Sequence, residues 1–249
     1  TLGSMEVPDE ALYGAQTARA LANFPVSGRP LPAVLIRSLV RIKRAWAVTN
    51  GRHASPEKRP VFAAIEKAAL LIESGQHLDQ FPVDVYQTGS GTSSNMNANE
   101  VLARLAASAS GLPVHPNDDV NRCQSSNDVF PTAMQLALIE VIQTRLFPAL
   151  AGLEAALLEK ADQFSGIVKV GRTHLQDATP VTLGQEFSAY AAQLARARRA
   201  INEALPHLFE LPLGGTAVGT GRNAPAPLVA ETIVHLATWT GAPLVEAAD

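Results

Sequence analysis

The sequence predicts an all-α fold, in which an irregular helical N-terminal domain precedes a bundle of long helices. Three observations carry this expectation. Ala and Leu are abundant while aromatic residues make up only 5% of the 249 residues, a balance that favours helix over sheet. Two long stretches, 128–163 and 182–209, carry apolar residues at steps of three and four. Short polar segments rich in Ser, Thr, Asn and Gly precede or separate them, and these residue types start and stop helices.

Composition narrows the function classes. A hydrophobic share of 47% with 17% charged residues places the chain among ordinary globular proteins, long enough for a substantial core in one or two domains. A net charge of −3 argues against a general nucleic-acid or membrane-surface binder, because no basic excess is present to attract phosphates. The single cysteine, Cys123, excludes an internal disulfide framework and fits a reducing compartment. No uninterrupted run of about 18 apolar residues occurs, so no transmembrane helix is expected. The first eight residues lack the basic region and apolar core of a signal peptide.

Residues 1–31 read as an extended arm with a short helical piece near 16–22. Leu35, Leu39, Ile42, Trp46 and Thr49 then mark one face of a helix, which Asn50-Gly51 is expected to stop. Ser55 with Pro56 predicts the next helix start, Val61, Ile65, Ala69 and Ile72 its apolar face, and Gly75 its end. A helix over roughly 95–108 should end at Gly111.

The first long helix carries Phe130, Met134, Leu138, Val141, Leu146, Leu150, Leu153 and Leu157 near one side, and Pro148 should bend it. The second carries Leu183, Phe187, Tyr190, Leu194, Ala197, Ile201, Leu205 and Leu208, with Thr182 and Gln185 forming a capping box. Helices of this length need packing partners, as in a bundle. The Gly-rich stretch 213–221 reads as a packing or hinge linker, and 225–240 as a last helix. A boundary near residue 122 divides the chain into domains 1–122 and 123–249.

Four polar loops, 87–95, 115–118, 125–128 and 171–182, flank these helices. Capping and turn formation account for any one of them alone. They do not account for the redundancy of Thr88, Ser90, Thr92, Ser93, Ser94 and Asn95, with Gly89 and Gly91 allowing close backbone approach. Hydroxyl-rich loops at helix N-termini suit an anion, a carboxylate as well as a phosphate. Neither a P-loop nor a strand–GxGxxG–helix unit is present. His174, between hydroxyl- and amide-rich segments, reads equally as structural or catalytic, and His115 as more peripheral. His53, His77, His207 and His235 carry no signal, no zinc-ligand spacing occurs, and Cys123 reads as a packing thiol.

Three stretches together resemble the fumarase/aspartase superfamily: 88–97 (Thr-Gly-Ser-Gly-Thr-Ser-Ser-Asn-Met-Asn), 121–128 (Asn-Arg-Cys-Gln-Ser-Ser-Asn-Asp) and 171–178 (Gly-Arg-Thr-His-Leu-Gln-Asp-Ala). Residues 12–17 (Leu-Tyr-Gly-Ala-Gln-Thr) add to it, and the resemblance runs over nearly the whole chain. Within the superfamily, His174 in Gly-Arg-Thr-His, the 115–119 stretch and 214–221 look like the class II, iron-independent fumarate hydratases. The resemblance implies an L-aspartase-like bundle, here truncated, in a cytoplasmic homotetramer with shared active sites. It implies reversible hydration of fumarate to L-malate, a step of the tricarboxylic acid cycle, with no metal or organic cofactor and no nucleic-acid or membrane partner.

By similarity, Ser90, Gly91, Thr92, Ser125, Ser126, Asn127 and Thr173 would bind the dicarboxylate, and His174 would act as general acid/base on the water. A second anion site would map to His115, Pro116, Asn117 and Asp118. The superfamily's Gly-Ser-Ser-x-Met-Pro-x-Lys-x-Asn loop, source of the proton-abstracting serine, is absent, so this chain alone is expected to be inactive. The alternatives are an aspartate ammonia-lyase or another superfamily lyase, and a non-catalytic helical fragment.

Overall fold

The computed structural model describes residues 4–248; Thr1, Leu2 and Gly3 of the expected arm, and Asp249, lie outside the described residues. The described residues form eight α-helices: α1 (Ala15–Asn23), α2 (Ala33–His53), α3 (Arg59–Glu73), α4 (Thr92–Ser110), α5 (Ser126–Val141), α6 (Phe147–Gln163), α7 (Leu183–Ala204) and α8 (Ala226–Thr240). Four short strands, β1 (Val168–Thr173), β2 (Gln176–Thr182), β3 (Glu210–Leu211) and β4 (Val245–Glu246), pair as β1–β2 and β3–β4. The all-α class predicted from the sequence is what forms. The chain separates into two compact units, Thr1–Leu138 with Phe209–Asp249, and Ile139–Leu208.

The first unit holds the core. Ile36, Leu39, Val40, Ile42 and Trp46 of α2 are buried with Ile65, Ala69 and Ile72 of α3, Val101, Leu102 and Ala106 of α4, and Val229, Ile233 and Leu236 of α8. Helix α2 does not stop at Asn50-Gly51 as predicted but continues to His53. Gly51 has a different role there: a Cβ on it would stand 3.2 Å from the Cβ of Phe62, so it permits α3 to approach. The Ser55-Pro56 start is also displaced. The Ser55 carbonyl accepts from the amides of Lys58 and Arg59 in a turn, and α3 begins at Arg59 with Pro60 in its first turn. Gly111 and Gly241, with φ of +70° and +68°, end α4 and α8 as left-handed caps.

Two carboxylates tie distant segments of this unit together. Glu100 of α4 accepts from the amides of Gly14, Gln16 and Thr17 and from the Thr17 hydroxyl, capping α1 from across the sequence. Asp84 accepts from the Ser27 amide and hydroxyl and the amides of Gly28 and Tyr86. Burial pushes the Asp84 carboxyl up, but these four donors outweigh it and hold its pKa at about 2.

In the second unit, a π-turn at Ile142–Leu146 interrupts the predicted continuous helix between α5 and α6. It lies just ahead of Pro148, which has no N–H to donate, and the widened turn accommodates that loss. The predicted polar loop 171–182 is instead an antiparallel hairpin, β1–β2, with an irregularity between Val170 and Arg172. A Cβ on Gly171 would stand 2.5 Å from the Thr179 carbonyl oxygen, so the irregularity needs glycine. The capping box is present: the Gln185 amide donates to Thr182 Oγ1 and the Thr182 amide to Gln185 Oε1. Helix α7 ends at Ala204, before the predicted end; Leu205 keeps helical dihedrals and donates to the Ile201 carbonyl, and a 3₁₀ turn over Leu205–Leu208 follows.

The apolar stripe read on the first long helix faces outward. Met134, Leu138, Leu146 and Leu153 are between 36% and 52% exposed, while α5 is buried through Val129, Ala133, Leu136 and Ala137. By length and composition alone, the helical span Ser126–Gln163 could cross a membrane, although no uninterrupted apolar run had pointed to one. Glu140 and Arg145 interrupt it, and a bundle helix satisfies the same criterion.

Candidate functional site

The N-termini of α4 and α5 meet in the first unit. At α4, Gln87 and Thr88 turn inward as caps, accepting from the amides of Ser94 (2.9 Å) and Ser93 (3.3 Å). Ser93 and Ser94 are themselves buried, so these hydroxyls serve the fold. Ser90 and Thr92 point outward, and their hydroxyls join that of Ser126 in a chain with spacings of 2.9 Å and 2.9 Å. Gly91 makes the turn possible: its φ is +65°, and a Cβ there would stand 2.3 Å from the Phe130 ring.

The start of α5 is held from below. Asp128, 2% exposed, accepts from the Ser125 amide through one oxygen (2.9 Å) and from the amides of Gly214 (3.0 Å) and Thr216 (3.1 Å) through the other. The Ser125 hydroxyl accepts from the Asn127 amide, and the Asn127 side chain donates to the Ala217 carbonyl at 2.7 Å. The Gly-rich stretch is therefore a packed strap across the start of α5. Ser90, Gly91, Thr92, Ser125, Ser126 and Asn127 thus lie together, presenting hydroxyl and amide groups at two helix N-termini, where a negative group is favoured.

Thr173 and His174 belong to the second unit. Thr173 pairs with Gln176, and the two residues between them, His174 (φ +50°) and Leu175 (φ +63°), form a left-handed hairpin turn. His174 is exposed at this tip, and no hydrogen bond of its ring occurs among the described residues. His115 begins the π-turn Pro116–Val120, where its Nδ1 accepts from the Asp118 amide at 3.1 Å. Asn117 and Asp118 are exposed, while buried Asp119 accepts from the His115 amide and from Lys58. Among the described residues no group of three His, Cys, Asp or Glu side chains could hold a metal.

Sequence reasoning missed Lys43. Its side chain is completely buried on α2, and Nζ donates to Asn121 Oδ1 at 2.8 Å. Asn95, one turn into α4, donates to the same oxygen at 3.2 Å, and Asn121 in turn donates to the Gln124 carbonyl at 3.3 Å. Burial pulls the Lys43 ammonium down to about 7, against the raising influence of Asp128. A signal was available: Ile36, Val40, Lys43, Ala47 and Asn50 recur at steps of three and four, which puts Lys43 and Asn50 inside an apolar stripe.

Over residues 3–249 the chain matches the model of the lyase family Lyase_1, and it belongs to that family. It is 53% identical to a class II fumarate hydratase of Ralstonia nicotianae over 98% of this chain and 54% of the relative, and 52% identical to one of Mycobacterium tuberculosis over 97% and 50%. The class II fumarase of Schistosoma mansoni superposes with a TM-score of 0.89 at 43% identity, covering 97% of this chain and 52% of that one. The resemblance carried by the three motifs therefore extends along the chain, which spans about half the length of the curated relatives it matches.

Proposed function

We propose that this chain is the N-terminal portion of a class II fumarate hydratase, which adds water reversibly to fumarate to give L-malate in the tricarboxylic acid cycle. The observation that carries the reading is the hydroxyl chain Ser90–Thr92–Ser126 at the meeting N-termini of α4 and α5. In the dehydrating direction, removal of a C–H proton beside a carboxylate leaves an aci-carboxylate bearing additional negative charge. Oriented donors that need no reorganisation lower the free energy of that intermediate. Ser90, Gly91, Thr92, Ser125, Ser126, Asn127 and Thr173 hold the dicarboxylate, and His174 activates the water as general acid/base. His115, Pro116, Asn117 and Asp118 form a second anion site.

The serine that takes the proton belongs, in this reading, to sequence beyond this chain, so the chain alone does not turn over. Residues 1–122 form the N-terminal domain and 123–249 the incomplete central bundle of the longer protein. The protein is a cytoplasmic homotetramer whose subunits share active sites. The exposed Leu146, Leu153, Leu158 and Tyr190 of α6, α7 and the turn before them support helix partners from other copies. The test is His174→Asn in the longer protein. Turnover of fumarate should fall by about 100-fold or more, the usual loss on removing a general acid/base. Wild-type turnover in that variant overturns the assignment.

A further inference from the structure

We propose that Lys43 is a positioning residue of the dicarboxylate site, whose buried ammonium group holds the 121–128 turn in register and whose protonation strengthens binding of a dianion. The inference rests on the fumarate hydratase reading for its substrate, but its geometry stands independently. An ammonium group removed from water is costly to keep and needs a compensating role. Its direct partner is Asn121 Oδ1, the oxygen that also receives the Asn95 amide. It thus joins α2 to the first turns of α4 and to the turn that carries Ser125, Ser126 and Asn127.

Asp128 is the charged group that acts on Lys43. Its two oxygens already accept three backbone amides, from Ser125, Gly214 and Thr216, so Lys43 balances the carboxylate that fastens both the turn and the strap. The other charges on the neighbouring elements face elsewhere. Arg41 and Arg44 of α2 pair with Glu73 and Glu66 of α3. Asp119 pairs with Lys58, Glu231 of α8 with Arg52 and His53, and Glu100 of α4 takes the N-terminal arm. Asn95 Oδ1 and Gln124 Oε1, on two residues hydrogen-bonded to Asn121 or its neighbours, are buried without partners of their own.

The linkage has a defined sign. Burial depresses the Lys43 pKa to about 7 in the free protein, and a bound dianion favours the protonated form. Fumarate affinity should therefore fall as pH rises above about 7, with one-proton linkage limiting the slope to about tenfold per pH unit. In the longer protein, Lys43→Met should abolish this rise in KM between about pH 6 and 8.5, holding KM at the high-pH value. A Lys43→Met variant that keeps the wild-type KM profile overturns the proposal.

Two further readouts separate this inference from the function assignment. In the chain itself, amide hydrogen exchange at Ser125, Gly214 and Thr216 should accelerate by about tenfold or more in Lys43→Met, whether or not fumarate is a substrate; unchanged exchange overturns the positioning role. If that variant does not fold, NMR titration of the wild-type Lys43 side chain remains. Its midpoint should rise when fumarate binds, and a midpoint indifferent to bound fumarate overturns the proposal. Absence of fumarate binding with accelerated exchange would refute the substrate and leave the positioning role standing.

Discussion

Gly91→Ala tests the geometry at the α4 N-terminus with a single methyl group. The left-handed conformation at φ +65° costs an L-residue about 1–2 kcal/mol. The added Cβ also lands 2.3 Å from Phe130 Cγ, well inside contact distance, and forced displacement of this kind costs about 1–3 kcal/mol. The sum is about 2–5 kcal/mol, a large fraction of the 5–15 kcal/mol or so that typically separates folded from unfolded states. Urea unfolding followed by circular dichroism would measure it. Gly89→Ala is the control, because nothing stands within 4 Å of a Cβ there, and it should lose less than about 1 kcal/mol. In a Phe130→Ala background the steric part should vanish, leaving about 1–2 kcal/mol for the backbone alone. A loss in Gly91→Ala no larger than in Gly89→Ala, or one insensitive to Phe130, refutes the reasoning.

Two other perturbations address different parts of the chain. His115→Asn should leave fumarate turnover of the longer protein within about threefold, because His115 caps an exposed π-turn and takes no part in the Ser90–Thr92–Ser126 chain; a collapse matching that of His174→Asn would reverse the ranking of the two sites. Asp84, with its folded pKa depressed to about 2, contributes stability that is present above its unfolded value of about 3.9 and is lost as pH falls through about 2. Urea midpoints of wild type and Asp84→Asn should therefore converge between about pH 4 and pH 2, and a constant gap across that range would contradict the assignment.

The helix signals that proved readable were local. Thr182 and Gln185 announce α7 because both halves of the capping box lie within four residues, and Gly111 marks the end of α4 by its own backbone freedom. Gly51 misled because its reason is the Cβ of Phe62 on another helix, which no local window contains. The hairpin was missed because its strands read Val-Lys-Val-Gly-Arg-Thr and Gln-Asp-Ala-Thr-Pro-Val-Thr, with Pro in one and a His-Leu turn in place of Asn-Gly.

The same distinction runs through the candidate site. Ser90, Thr92 and Ser126 were visible as excess hydroxyls, and the structure separates them from Thr88, Ser93 and Ser94, which serve the fold. Glu100 and Asp128 were invisible as anchors, since the distant segments they tie down lie more than 80 residues away in sequence.

The first unit is assembled from two pieces of chain, with residues 139–208 between them. Val229, Ile233 and Leu236 finish a core begun by α2, and Gly214 and Thr216 finish the amide shell of Asp128. A ribosome adding about 5–20 residues per second reaches α8 about 5–20 seconds after it has made the first turn of α5. Throughout that interval the nascent N-terminal helices lack their closing layer, and the Asp128 carboxylate lacks two of its three amide donors. Biogenesis of this protein therefore contains an obligatory waiting period, in which holdase chaperones have an exposed apolar surface to bind.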